Sequence, residues 1–287
     1  MKILLTGAEG QLGKELLQTF KHEGYTVFPC SKSQLDITNP NQIKKVLEKI
    51  EPDIIINTAA FTNVDLCEIQ LEEAYLINGL GPYYLSSIAK EQNMKLIHIS
   101  TDYVFKGDQF SPYEEDHITC PDTIYGKSKK LGEELALIFS ENVTIIRTSW
   151  LYGHGGRNFV NTVKQLSDKL DEIKIVADQY GSPTYTKDLG NAIKQLINRP
   201  PGIYHITNSG NCSWFEFATE IITGVKRKTK VIPISTEEYG IKTPRPFYSV
   251  LSHKKIANNN IFMRNWKEGL YEYLVKEFKV RDDYRRS

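Results

Sequence analysis

Tyr125 and Lys129 stand four residues apart in Tyr125-Gly-Lys-Ser-Lys129, a spacing that puts both on one face of a helix. A phenol at its ordinary pKa of about 10 is a poor proton carrier at neutral pH. A neighbouring ammonium favours the phenolate and brings the group towards its working range. Proton transfer to a reacting carbonyl also needs a group that holds the oxygen. The stretch His98-Ile-Ser-Thr-Asp-Tyr-Val-Phe105, with its Ser100-Thr101 pair, offers hydroxyls for that purpose. A third constellation, Gly7-Ala-Glu-Gly-Gln-Leu-Gly13, has the spacing G-x-x-G-x-x-G. Glycines so spaced between a strand and a helix permit a tight turn and let backbone approach a pyrophosphate, while the helix N-terminus offers free N–H groups to the phosphates.

These groups need a scaffold, and the hydrophobic pattern supplies one. Lys2–Thr6, Tyr25–Phe28, Asp53–Asn57, Lys95–Ser100 and Val143–Arg147 read as buried strands. Between them, residues 11–20, 39–50, about 68–92 and about 124–140 carry apolar side chains at helical spacing. Continuous apolar strands alternating with helices predict a parallel sheet covered on both faces. The expected fold is α/β, a Rossmann-type doubly wound parallel sheet with a smaller C-terminal α/β substrate lobe. Residues 1–150 would form the dinucleotide-binding domain and 151–287 the substrate lobe, with the chain crossing between them. In the second half, helices are expected near 157–170, 187–198, 213–223 and 265–278, and strands near 173–176, 203–206 and 231–234. The site then falls at the C-terminal edge of the strands, where ligands of open α/β sheets bind.

Composition removes other classes. The 287 residues are 40% hydrophobic and 25% charged, enough for a sizeable core and unlike a disordered chain. A formal net charge of +1 gives no reason to expect nucleic acid or an anionic membrane as partner. No apolar run is long enough to span a membrane, and Ile3–Leu5 is too short for a secretory core, so a cytosolic protein is expected. Cys30, Cys67, Cys120 and Cys212 form no C-x-x-C pair and the six histidines no ligand spacing, which argues against a zinc site or a disulfide framework.

The second strand runs into Pro29-Cys-Ser-Lys-Ser33 with no carboxylate before Asp36. An acidic residue there would bind the adenosine ribose 2′-OH of NAD, whereas a basic one accommodates the 2′-phosphate of NADP. Lys32 therefore points to NADPH, with NADH as the alternative.

The chain resembles the extended short-chain dehydrogenase/reductases, and within them the dTDP-4-dehydrorhamnose reductase family. The resemblance spans nearly the whole chain. It is carried by Leu5–Gly13, Leu35–Thr38, Asn57–Asp65, Ser100–Phe105, Tyr125–Lys129, Arg147–Gly153, Asn158-Phe159, Asp178–Thr184 and Pro244–Pro246. It implies Thr101, Tyr125 and Lys129 as the catalytic group. It implies Gly7, Gly10, Gln11 and Leu12 at the pyrophosphate, Asp36 and Ile37 beside the adenine, and Ala59, Ala60 and Thr62 along the cofactor, with Tyr125 and Lys129 also in contact with it. Val64, Asp102, Tyr103, Trp150, Asn158 and Arg245 become substrate-side residues, together with Thr101 and Tyr125. The implied reaction is NADPH-dependent reduction of the C4 keto group of dTDP-4-dehydro-6-deoxy-L-mannose, in the supply of a deoxysugar for cell-surface polysaccharide. Tyr125 would donate the proton, Thr101 hold the oxygen, and Lys129 both acidify Tyr125 and bind the nicotinamide ribose. Core packing is the competing reading for Trp150 and Val64.

Two other readings share these motifs: a nucleotide-sugar epimerase or dehydratase, and a regulatory subunit related to that of methionine adenosyltransferase. Some members of the family are implied to dimerise through magnesium held by carboxylates, and Glu15 matches one of these. Lys187 stands where a further acidic ligand would be needed. The expectation is accordingly no structural metal, and a monomer or homodimer.

Overall fold

The computed structural model describes residues 1–21, 24–240 and 242–280. The first half alternates strand and helix as β1 (Lys2–Thr6), α1 (Gln11–Lys21), β2 (Thr26–Cys30), α2 (Pro40–Ile50) and β3 (Ile54–Asn57). There follow α3 (Val64–Ile69), α4 (Leu71–Tyr75), α5 (Gly81–Glu91), β4 (Lys95–Thr101), α6 (Ile124–Phe139) and β5 (Val143–Thr148). After these come β6 (Leu151–Tyr152), α7 (Phe159–Ser167), β7 (Glu172–Val176), β8 (Tyr180–Gly181), β9 (Thr184–Tyr185), α8 (Thr186–Leu196) and β10 (Gly202–His205). The chain closes with β11 (Cys212–Ser213), α9 (Trp214–Gly224), β12 (Lys230–Ile234), α10 (Thr236–Tyr239), α11 (Lys254–Asn258) and α12 (Trp266–Phe278).

Six strands form one parallel sheet in the order β10-β5-β4-β3-β1-β2. Side chains alternate across it, so one strand feeds two cores. Ile3 and Leu5 of β1 pack with Leu12, Leu16 and Phe20 of α1 and with Leu189 and Ile193 of α8. Leu4, between them, faces Ile43 and Leu47 of α2 and Leu85 of α5. Both faces are thus covered by helices, which is why the strands read as unbroken apolar runs.

The sheet takes β10 and its face takes α8 from beyond residue 150, so the chain begins the second lobe with β6, α7 and β7, returns to the first layer for α8 and β10, and then completes the second lobe. That lobe has its own core, in which Phe217 and Ile221 of α9 meet Tyr152, Tyr185, Trp266 and Tyr273. Its strands pair two by two: β7 with β12, β8 with β11, and β6 with β9.

One expected element differs. The single helix predicted over about 68–92 is instead α3, α4, a π-helical turn at Leu76–Leu80, and α5. The reason lies in Asn78, which is buried at 1% exposure. Its amide oxygen accepts from the Phe61 N–H at 2.8 Å and its nitrogen donates to Phe61 O at 2.9 Å and Ser128 Oγ at 3.1 Å. Pro82, at the start of α5, has no N–H to continue the preceding ladder. The wide turn admits the extra residue those bonds require.

Candidate active site

The glycine loop joins β1 to α1 above the C-terminal edge of the sheet. Gly7 sits at φ +66°, and a Cβ there would come within 2.6 Å of the Ala59 nitrogen. Only glycine therefore lets the loop lie against the end of β3. Beside the loop, a cavity of about 350 Å³ is lined by Gly7, Gly10, Lys32, Asp36, Ile37, Ala59 and Ala60. Asp36 is committed to its own turn, accepting from the Thr38 N–H at 2.9 Å and hydroxyl at 2.7 Å. Lys32 lies on the rim, exposed, with its ammonium 3.7 Å from Glu73.

Gly10, Thr58 and Ala60 also line a second cavity of about 530 Å³, so the two make one groove along the sheet edge. Into the second part face Gln11, Leu12, Thr62 and Val64 from one side. Thr101, Asp102, Tyr103, Tyr125, Lys129 and Trp150 close it from the other. The tyrosine and lysine thus share one space, as their spacing on α6 requires.

Local structure fixes that helix. Thr123 caps its N-terminus by accepting from the Gly126 N–H at 3.0 Å. Gly126 lets α6 touch the turn after β4, since a Cβ there would meet Tyr103 O at 2.2 Å. The Tyr103 and Tyr125 rings then meet edge to face at 5.5 Å. Thr101 lies 5% exposed at the end of β4, its hydroxyl donating to Asp102 Oδ1 at 3.0 Å and accepting from the Tyr103 N–H at 3.2 Å.

Burial dominates the electrostatics. It raises the Tyr125 pKa, against a smaller opposing effect of the Thr101 hydroxyl. It pushes Asp102 up to about 6, with the Ser249 and Thr101 hydroxyls pulling the other way. It brings Lys129 down to about 8, with Glu133 opposing. The acidification of Tyr125 expected from Lys129 is absent from this arrangement. The Lys129 ammonium position turns towards β4, donating to Ile99 O at 2.5 Å and lying 3.3 Å from His98 Nε2. Tyr125 is consequently a neutral phenol, the form that gives a proton.

Two expected substrate-side residues lie apart from the groove lining. Asn158 caps α7 by accepting from the Asn161 N–H at 2.9 Å and reaches Gln11 at 3.0 Å and Gly153 O at 3.0 Å. It ties the second lobe to the glycine loop. Arg245 sits over a small adjoining recess with Tyr103 and Lys106, and its guanidinium donates to Asp65 at 2.8 Å. Trp150 has φ +46° and stacks on Trp214 with centroids 3.4 Å apart.

The RmlD substrate binding domain model matches residues 1–279. The chain belongs to this family. Among similar proteins, the spore coat polysaccharide biosynthesis protein SpsK of Bacillus subtilis is 51% identical, over 98% of this chain and 99% of that protein. A dTDP-4-dehydrorhamnose reductase of Aggregatibacter actinomycetemcomitans is 38% identical, over 94% of this chain and 97% of that protein. The crystal structure of dTDP-4-dehydrorhamnose reductase from Bacillus anthracis in complex with NADP superposes with a TM-score of 0.94 at 43% identity, covering 96% of this chain and 99% of that one.

Beneath the groove of this RmlD-family chain lies buried polar structure that sequence reasoning missed. Glu133, one turn beyond Lys129, accepts from Arg147 Nη2 at 2.7 Å and Nε at 3.0 Å, and from the Ser100 hydroxyl. Both ions are 3% exposed. The pair locks α6 onto β4 and β5. Asn57 and His98, both fully buried, stand under Lys129. The available signal was the presence of Asn57, His98 and Arg147 inside otherwise apolar strands, since buried polar groups need partners. Trp214 gave no such signal, because aromatic residues usually pack in cores.

Glu15 faces a separate recess with His154, Lys187, Lys194 and Lys276. Burial raises its pKa, while His154, Lys187 and Lys276 oppose the rise. Lys187 is paired with Glu272 at 2.6 Å. Among the described residues no group of three or more His, Cys, Asp or Glu side chains is arranged to hold a metal ion, and no helix is long and apolar enough to cross a membrane.

Proposed function

We propose that this RmlD-family chain is an NADPH-dependent dTDP-4-dehydrorhamnose reductase, reducing the C4 keto group of dTDP-4-dehydro-6-deoxy-L-mannose to dTDP-L-rhamnose. The observation that carries this reading is the meeting of Thr101, Tyr125 and Lys129 in one groove with the glycine loop. The groove fits a dinucleotide: Gly7 and Gly10 line it at the loop with no side chain to occupy the space, and Gln11 and Leu12 open α1 beside it. Lys32 at the adenine end suits a 2′-phosphate. Lys129 would hold the ribose nearest the nicotinamide, where NADPH, when bound, would supply the hydride.

The chain's own work is on the oxygen. As negative charge builds on the substrate carbonyl, Tyr125 gives its phenolic proton to that atom. The Thr101 hydroxyl donates a hydrogen bond to the same oxygen, a stabilisation worth a few kcal/mol per donor. Burial strengthens both interactions by excluding water. Val64 and Trp150 supply apolar walls for the sugar, and Arg245, on the rim beside Tyr103, suits the diphosphate. The likeness to SpsK supports use of the product in a surface polysaccharide.

The test is to incubate the purified chain with NADPH and dTDP-4-dehydro-6-deoxy-L-mannose and identify the product by NMR. One NADPH consumed for each dTDP-L-rhamnose formed is expected. Conversion without net NADPH consumption would replace this reading with an epimerase.

A further inference from the structure

Under Lys129 runs a fully buried chain of polar groups that the proposed chemistry does not use. Thr6 Oγ1 donates to Asn57 Oδ1 at 2.6 Å, Asn57 Nδ2 lies 3.0 Å from His98 Nδ1, and His98 Nε2 lies 3.3 Å from Lys129 Nζ. Thr6, Asn57 and His98 are 0% exposed and Lys129 is 1% exposed, so no water resolves their roles.

Counting donors assigns every proton. The Ala59 backbone N–H donates to Asn57 Oδ1 at 3.2 Å. A backbone amide can only donate, so this bond fixes the Asn57 amide with its nitrogen towards His98. Asn57 Nδ2 is therefore a donor and His98 Nδ1 an acceptor. Burial acts to hold the His98 pKa well below its ordinary value. The neutral ring carries one proton, and it must lie on Nε2. That N–H points at Lys129 Nζ. An ammonium has three donors and no lone pair, so it cannot accept. A neutral amine can, while still donating to Ile99 O.

We propose that Asn57 and His98 are positioning residues that hold Lys129 as a neutral amine in the cofactor-free protein, and that Lys129 takes a proton from solvent when cofactor enters the groove. Ribose hydroxyls offer oxygen acceptors, and a phosphorylated dinucleotide adds negative charge; both favour an ammonium over an amine. Among the described residues, the ionisable groups that bear on Lys129 are His98 from β4, with its fixed N–H, and Glu133 from α6. Glu133 favours the ammonium but is itself paired with Arg147 of β5. Burial lowers the Lys129 pKa in the direction this arrangement needs. The sign follows: affinity for cofactor falls as pH rises above the free Lys129 pKa, because binding must then draw a proton.

The inference rests on the reading of the groove for its cofactor half only. Its first measurement needs no cofactor: titration of the Lys129 ε-carbon by NMR in lysine-labelled protein, assigned with Lys129→Met. In the wild type it should titrate about two units below an ordinary lysine. Asn57→Asp keeps the side chain's shape but offers His98 Nδ1 an acceptor, which moves the ring proton there and frees Nε2 to accept. Lys129 should then titrate about one unit or more higher. His98→Phe should also raise it; if that variant fails to fold, Asn57→Asp carries the test.

The second measurement is calorimetry of NADP⁺ binding at about pH 9 in buffers of different ionisation enthalpy. Net uptake approaching one proton is expected for the wild type, about half a proton or less for Asn57→Asp, and little for Lys129→Met. A wild-type Lys129 that titrates like an ordinary lysine, or one unmoved by Asn57→Asp, overturns the proposal. A lysine that titrates low without proton uptake overturns its cofactor half. If NADP⁺ does not bind at all, the reading of the groove fails instead, and the lysine titration decides the remainder.

Discussion

Glu133→Gln tests the buried ion pair that seats α6. In the folded chain the Glu133 carboxylate receives two bonds from Arg147, at 2.7 and 3.0 Å, and one from Ser100. Without its charge, Arg147 keeps Glu115 O at 3.4 Å and His205 Nε2 at 3.3 Å. Burial and Arg147 itself hold the His205 pKa well below its ordinary value, so that ring is neutral and compensates no charge. Both ions are 3% exposed, and removing one partner from such a pair costs about 3–5 kcal/mol. That is a large share of the roughly 5–15 kcal/mol by which a typical domain is stable. Urea unfolding of the wild type and Glu133→Gln would measure it. The double variant Glu133→Leu/Arg147→Met, which replaces both ions with apolar side chains, should recover most of the loss. Glu133→Gln also removes the carboxylate that favours the Lys129 ammonium, so Lys129 should titrate lower still. A cost for Glu133→Gln below about 1 kcal/mol, the worth of an exposed pair, would refute the argument.

Tyr125→Phe should lower kcat by about 10²–10⁴-fold, the range for a placed proton donor. Its affinity for NADP⁺, measured by calorimetry, should stay within about twofold, because the phenol hydroxyl acts on the substrate oxygen. Asp102→Asn should change the pH dependence of stability. The folded-state pKa of Asp102 is raised by burial from 3.8 to about 6, so the folded chain holds that proton more tightly than the unfolded chain. Wild-type stability is therefore expected to fall as pH rises through that window, by on the order of 2–3 kcal/mol. Asp102→Asn should lose that slope, which urea midpoints across the window would show.

The chemistry-bearing spacing was readable because it is local. Tyr125 and Lys129 lie on one helical face whatever else the chain does, and a strand, a glycine turn and a helix make a complete motif within a few residues. The alternating apolar strands likewise specify the covered parallel sheet. What escaped depends on partners far along the chain. Asn78 opens a π-turn because Phe61 and Ser128 lie against it, and Lys129 turns away from Tyr125 because Ile99 and His98 do. Arg245 meets Asp65, 180 residues earlier in the sequence. A hydrophobic period carries no information about such meetings.

The sixth strand has a consequence for how the molecule is made. A growing chain that has just completed β5 has one flank of that strand unpaired, because β10 is still more than fifty residues from being synthesised. Until it arrives, the backbone groups along Val143–Thr148 are open to any extended segment, including one from a neighbouring nascent chain. Truncation after residue 150 would make that exposure permanent, and such a fragment should aggregate rather than fold as a self-sufficient half.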